Sequence, residues 1–123
     1  MPDTVHALLV ATDGTITDLH LSTNDTPQRT QIHQALGDYA EALRYVRRPD
    51  GSHTVALAAE TSDGQPPNLY AAIALHFLLG ESLIAGIQGP VIFAGFNRQD
   101  ALTSLTEDAV RTIRTASVIP AVR

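Results

Sequence analysis

The chain has 123 residues, no cysteine and no lysine, with 8 arginines against 13 acidic residues for a net charge of −5 and a pI near 5.3. That length suits one globular domain, 1–123, with a core that holds without staples. The missing cysteine excludes disulfides, thiolate metal sites and a cysteine nucleophile, and dispersed acidity without a basic cluster gives no nucleic-acid footprint.

Thr4 to Ala11 (TVHALLVA) is apolar and partly β-branched, as a central strand should be. Asp13-Gly14 is a hairpin turn signal, so Thr15 to Leu21 reads as the return strand with Thr17, Leu19 and Leu21 on one face. Thr26-Pro27 reads as an N-cap followed by Pro at the first helical position. Ile32, Ala35 and Leu36 give that short helix one buried stripe, and Gly37 its left-handed stop. Tyr39 to Arg47 is a third strand with Tyr39, Glu41, Leu43 and Tyr45 on one face. Arg48-Pro49-Asp50-Gly51 turns the chain into a fourth, His53 to Glu60, with Val55, Leu57 and Ala59 inward.

After a turn at Ser62-Asp63-Gly64, Pro66-Pro67-Asn68 leads into a helix from Leu69 to Leu79, with Asn68 as N-cap and Gly80 as stop. Gly86 to Pro90 is a tight loop before an apolar fifth strand, Val91 to Phe96. Ser104-Leu105-Thr106-Glu107 has capping-box spacing. It opens a last helix to about Thr115 that buries Ala109, Val110 and Ile113, and Pro120 closes regular structure. The expected fold is α+β: a single domain with about five strands in a mostly antiparallel or mixed sheet, built from two hairpins plus a late strand, and three helices packed on one face. The apolar run at 69–79 is broken by His76 and is too short to span a bilayer. No basic-plus-apolar leader opens the chain. The expectation is a soluble, cytoplasmic protein that makes no use of a membrane. Arginine without lysine, with abundant alanine and threonine, marks a GC-rich, actinobacterial-like composition.

The order of several short motifs carries a family likeness. Leu8-Leu9-Val10 with Asp13-Gly14, then Gly37-x-Tyr39-x-Glu41, Pro66-Pro67-Asn68, Gly89 to Phe96 and Ser104-Leu105-Thr106 follow one another across residues 6 to 113. That order resembles a domain-of-unknown-function family of short proteins from phages, plasmids and other mobile elements of Gram-positive bacteria. Asp38 replaces a second glycine of that pattern, and the segment 69–79 is longer and more helical. The resemblance implies a mobile-element setting and supplies no activity.

Five histidines (His6, His20, His33, His53 and His76) lack the spacing of a helical metal site. His6, His20 and His53 sit on or beside strands and could converge, but the plainer reading is separate strand-end histidines, with no metal and no cofactor. Tyr39 and Glu41, alternating onto one face, could bind a polar ligand, or Glu41 could simply pair across the strand. Asn68, with Tyr70 and Gln65 near, could present helix N–H groups to an anion or could only cap. Gly86-x-x-Gly89 precedes a strand, whereas phosphate loops follow one, so it reads as a turn. Arg44, Arg47 and Arg48 could hold phosphate or an acidic partner, or keep an edge strand solvated. There is no nucleophile motif, and Asp13-Gly14-Thr15 lacks the upstream aspartate of a phosphatase loop, having Ala11 there. No catalytic residue is assigned.

The leading expectation is a non-enzymatic accessory or interaction protein that binds an unknown protein partner, or itself, through a sheet edge or the Asn68 helix. A module for a nucleotide or other small anion, using Tyr39, Glu41, Asn68, Tyr70, Gly86 and Gly89, is the alternative. A small hydrolase-type enzyme, needing histidines convergent with carboxylates, is the third.

Overall fold

The apolar stretches at 4–10, 53–59 and 91–96 have no consistently polar alternate face, which suits strands covered on both sides. The computed structural model describes residues 4–48, 51–61, 64–79, 86–99 and 101–116. It contains β1 (Thr4–Val10), β2 (Ile16–Ser22), α1 (Asp25–Leu36), β3 (Ala40–Arg47), β4 (His53–Ala59), α2 (Leu69–Leu79), β5 (Val91–Phe96), β6 (Leu102–Thr103) and α3 (Glu107–Ala116). The sheet order is β2-β1-β5-β4-β3, with β6 paired to β5, and every pairing is antiparallel. This is a single small α+β domain. Among the described residues no helix is long and apolar enough to cross a membrane.

The expectation that all helices share one face is corrected. Leu8, Val10, Val46, Ala56, Val91 and Phe93 pack against α2 and α3 through Ala71, Ala74, Leu75, Leu78, Ala109 and Ile113. The alternate residues Val5, Ala7, Leu21, Val55, Ala59, Ile92 and Ala94 pack on the opposite face against Ile32 and Leu36 of α1. A sheet whose central strands are apolar on both faces needs a cover on each.

Local chemistry fixes the element ends. The hairpin at Asp13-Gly14 is a three-residue loop: the Ala11 N–H donates to the Thr15 carbonyl at 2.9 Å and Gly14 takes φ 91°. α1 starts earlier than Thr26-Pro27 suggests. Extended Asn24 is the N-cap residue, its carbonyl accepting from Gln28 N–H at 3.0 Å, and Pro27 falls within the first turn, where a missing N–H costs nothing. Gly37 is the expected left-handed stop. The Ser104 capping box is also corrected: Thr106 Oγ1 accepts from Ala109 N–H, while Ser104 Oγ accepts from His6 N–H and so ties the start of β1. The stops expected at Gly80 and Pro120, and the turn residues Pro49, Asp50, Ser62 and Asp63, lie outside the described residues.

Two long-range polar ties close the fold. Arg48 is buried, unlike Arg44 and Arg47: its guanidinium donates to the Leu78 carbonyl at 3.0 Å and to the Asp108 carboxylate. A cation thus meets the C-terminal end of α2, and its counter-ion lies in the first turn of α3, as both helix dipoles favour. Arg48 is therefore no solvated edge residue. Asn68 is 1% exposed. Its Oδ1 accepts from Ala71 N–H at 3.0 Å, capping α2, and its Nδ2 donates at 2.9 Å to the carbonyls of both Val10 and Gly89. Its backbone N–H meets the Ile87 carbonyl. One side chain thus joins the end of β1, the loop before β5 and the start of α2.

Replacing Asn68 by Ala removes the cap and strands two buried carbonyls, so urea denaturation should show a loss of about 2–4 kcal/mol. Asn68→Ser keeps a cap acceptor but not the two donors, and should recover only about 1 kcal/mol of that.

Candidate functional site

The residues expected to form a ligand site do not meet. Asn68 has every polar side-chain atom engaged within the fold. Tyr70 lies against the β1–β2 turn, where a Cβ on Gly14 would come 2.7 Å from its ring; glycine is thus required there for space as well as for φ. Gly86 and Gly89 both have positive φ. Gly89 donates its N–H to the Pro66 carbonyl and packs on Gln65, so this loop is braced against 65–68 as a turn. These four residues build the α2 end of the molecule, while Tyr39 and Glu41 lie at the far edge of the sheet.

Tyr39 and Glu41 also part from each other. A β-bulge between Ala42 and Arg44 inserts Leu43 as an extra residue, and an inserted residue exchanges the faces of everything beyond it. Before the bulge Glu41 is opposite Ala58, on the α2–α3 face. After it, Arg44 and Val46 take that face, and Tyr45 turns to the α1 face, its ring 5.0 Å from that of Phe96. Tyr39 precedes the strand and packs edge-on against His33 of α1 at 4.9 Å. The single face expected for Tyr39, Glu41, Leu43 and Tyr45 is therefore not formed.

A groove of about 890 Å³ opens beside Tyr39, lined by Arg29, His33 and Gln34 of α1, Ala40 and Glu60. Its rim is held by Asp38, whose carboxylate accepts from the Thr61 hydroxyl and from Tyr39 N–H. These bonds, the Thr61 hydroxyl foremost, keep the Asp38 pKa below the usual carboxylate value. Arg29 and Glu60 have no side-chain partner among the described residues. No sequence motif marked Arg29, His33 or Glu60. The available signal was Gly37, because a left-handed stop returns the chain beside the helix it ends.

The strand histidines converge in part. His6 and His20 face each other across β1 and β2, rings stacked at 5.6 Å. His6 Nε2 bonds Asp18 Oδ1 at 2.7 Å, and Arg114 of α3 reaches the same oxygen at 2.8 Å. His53 stands apart on β4, with β5 between it and β1, in a polar depression of about 310 Å³ with Arg98, Asn97 and Thr106. Among the described residues no group of three or more His, Cys, Asp or Glu is placed to hold a metal ion.

The most distinctive surface is the outer edge of β3. Of the five exposed large apolar side chains among the described residues, Tyr39 (68% exposed), Leu43 and Tyr45 (57%) belong to β3 or adjoin it, so the exposed apolar area of those residues concentrates there. The Tyr39 carbonyl bonds the Glu60 N–H and the Arg48 N–H bonds the Ser52 carbonyl. Antiparallel alternation then directs the backbone groups of Ala40, Ala42, Tyr45 and Arg47 away from β4, out of the sheet. No hydrogen bond reaches them among the described residues. The opposite edge is treated differently. There Gln31 Oε1 accepts from Ser22 N–H at 2.6 Å, Gln31 Nε2 reaches the His20 carbonyl, and Gln28 Nε2 donates to the Ser22 carbonyl at 2.8 Å. Two glutamines of α1 thus close the Ser22 end of β2 and leave Ile16 and Asp18 outward at its start, while β3 is open along its length.

Comparison with known proteins places the chain beside none of them: no family model, no curated protein and no solved structure matches it.

The Asp18 pKa is lowered, first by the His6 hydrogen bond and then by Arg114. A lowered folded-state value stabilises the fold above the unfolded carboxylate pKa, and that contribution is lost as pH falls through the folded value. Asp18→Asn should therefore flatten the fall in unfolding free energy between neutral pH and acid, measured by urea titration at each pH. A fall as steep as in the parent would deny Asp18 a part in it.

Proposed function

We propose that this protein is a non-enzymatic interaction module whose docking surface is the outer edge of β3. The observation that carries this reading is the contrast between the two sheet edges. The β2 end is closed by Gln28 and Gln31, while β3 presents four outward backbone positions beside exposed Leu43 and Tyr45. An open edge of this kind takes an extended segment as an added strand, with backbone bonds giving affinity and flanking side chains giving specificity. Glu41, Arg44 and Arg47 set the charges that such a segment must match. The cytoplasm of a cell carrying a mobile element is the proposed setting, which rests on the order of the short motifs alone.

A second reading is supported by the groove at Tyr39. Arg29 and His33 could meet an anionic group there while Tyr39 stacks on a ring, as a nucleotide-like ligand requires. A thermal shift on adding nucleotides that is lost in Arg29→Ala would favour it.

The edge reading is tested by capture from a lysate of the encoding organism, with Ala42→Pro beside the parent. Proline removes an outward N–H that the fold does not use, so the variant should unfold at the parent's urea midpoint. The parent should retain a protein at fixed stoichiometry, either foreign or a second copy, and Ala42→Pro should retain at least about tenfold less. Equal retention by both would exclude the β3 edge.

A further inference from the structure

We infer that the strand added to β3 is β3 of a second copy, antiparallel about a two-fold axis at Ala42. This rests on the docking reading of the β3 edge and goes further by naming the occupant. A two-fold interface must be self-complementary: if residue i meets residue j, then j meets i. The segment Ala40–Arg47 has that property in one register. Setting Glu41 opposite Arg44 of a second copy forms two symmetric ion pairs. Both residues lie on the α2–α3 face, so their side chains meet on one side of the joint sheet. Neither has a side-chain partner within its own chain among the described residues.

The same register satisfies the backbone. It sets Ala40 opposite Tyr45 of the other copy, and both direct their N–H and carbonyl groups out of the sheet, so each such pair exchanges two hydrogen bonds. Glu41 and Arg44 direct theirs toward β4, so they fall at the intervening non-bonded pairs, where side chains approach most closely. On the α1 face the large exposed ring of Tyr45 lies next to the small side chain of Ala40, and outward Ala42 meets Ala42 of the second copy on the axis, with Leu43 the bulged residue of each strand. Hydrogen bonding, charge and side-chain size therefore agree on one alignment. The two sheets join into one, and the open edges cover each other. A contact of one strand and its flanks is small for a permanent dimer, so the association is reversible.

The test uses charge reversal in the full chain, followed by sedimentation equilibrium. Glu41→Arg alone sets one guanidinium against another at both contacts, and Arg44→Glu alone sets one carboxylate against another at both. Each should weaken self-association at least about tenfold. Mixed in equal amounts, the two variants form a heterodimer in which each like-charge contact is replaced by an opposite-charge one, and association should return to near the parent's. Exposed sites change little in the fold, and equal urea midpoints for all three proteins check this. A mixture that associates no better than its components would overturn the inference, as would a parent that stays monomeric at all concentrations. A monomeric parent whose capture of a foreign protein is lost in Ala42→Pro would sink self-pairing and leave the docking reading standing. A monomeric parent that captures nothing would sink both.

Discussion

The buried amide of Asn68 holds three segments that the sequence separates widely. Its carbonyl oxygen caps α2, and its two N–H groups satisfy the last residue of β1 and the loop that leads into β5. A side chain with both donors and an acceptor is needed, because each partner is a backbone group with no water to turn to. The apolar helix α2, which carries little polar surface of its own to orient it, is thereby fixed over the centre of the sheet. Arg48 performs the matching task at the other end of α2, bonding its Leu78 carbonyl and drawing Asp108 of α3 to the same point. With α2 and α3 seated on one face, α1 alone is left for the other, and it lies along β2.

That division of cover decides which edge of the sheet is the more open. α1 follows β2 in sequence and folds back onto it, so Gln28 and Gln31 reach the Ser22 backbone. β3 follows α1, is reached through Gly37 and Asp38, and has no strand beyond it among the described residues. Its charges and its bulge are features that elsewhere discourage edge pairing. Here they come with exposed Leu43 and Tyr45, and the order of charges, Glu41 before Arg44, matches itself when reversed. An edge built only to repel would have no use for that symmetry.

Much of this fold was legible in the chain. Asp13-Gly14, Gly37 and the 91–96 run placed turns, a helix stop and a strand close to where they lie, because left-handed glycine and continuous apolar runs are strong local signals. The two-faced sheet was less legible, since Ala56 and Ala58 are too small to announce a second buried face beside Val55, Leu57 and Ala59. The bulge at Leu43 was not legible at all. No glycine or proline marks it, and it moved Tyr45 to the face opposite Glu41, which dissolved the single face inferred from alternation. Arg48 read as part of a surface cluster because its partner Asp108 is 60 residues away in sequence. The β6 strand is two residues long, below what periodicity can register.

Amide hydrogen exchange followed by NMR at low and high protein concentration tests the central claim most directly. The outward N–H groups of Ala40, Ala42 and Tyr45 should exchange quickly in dilute solution and become protected on concentration, while those of Ile16 and Asp18 on β2 stay unchanged. Protection that rises equally on both edges, or on neither, would contradict the claim that β3 is the edge this protein leaves open for a partner.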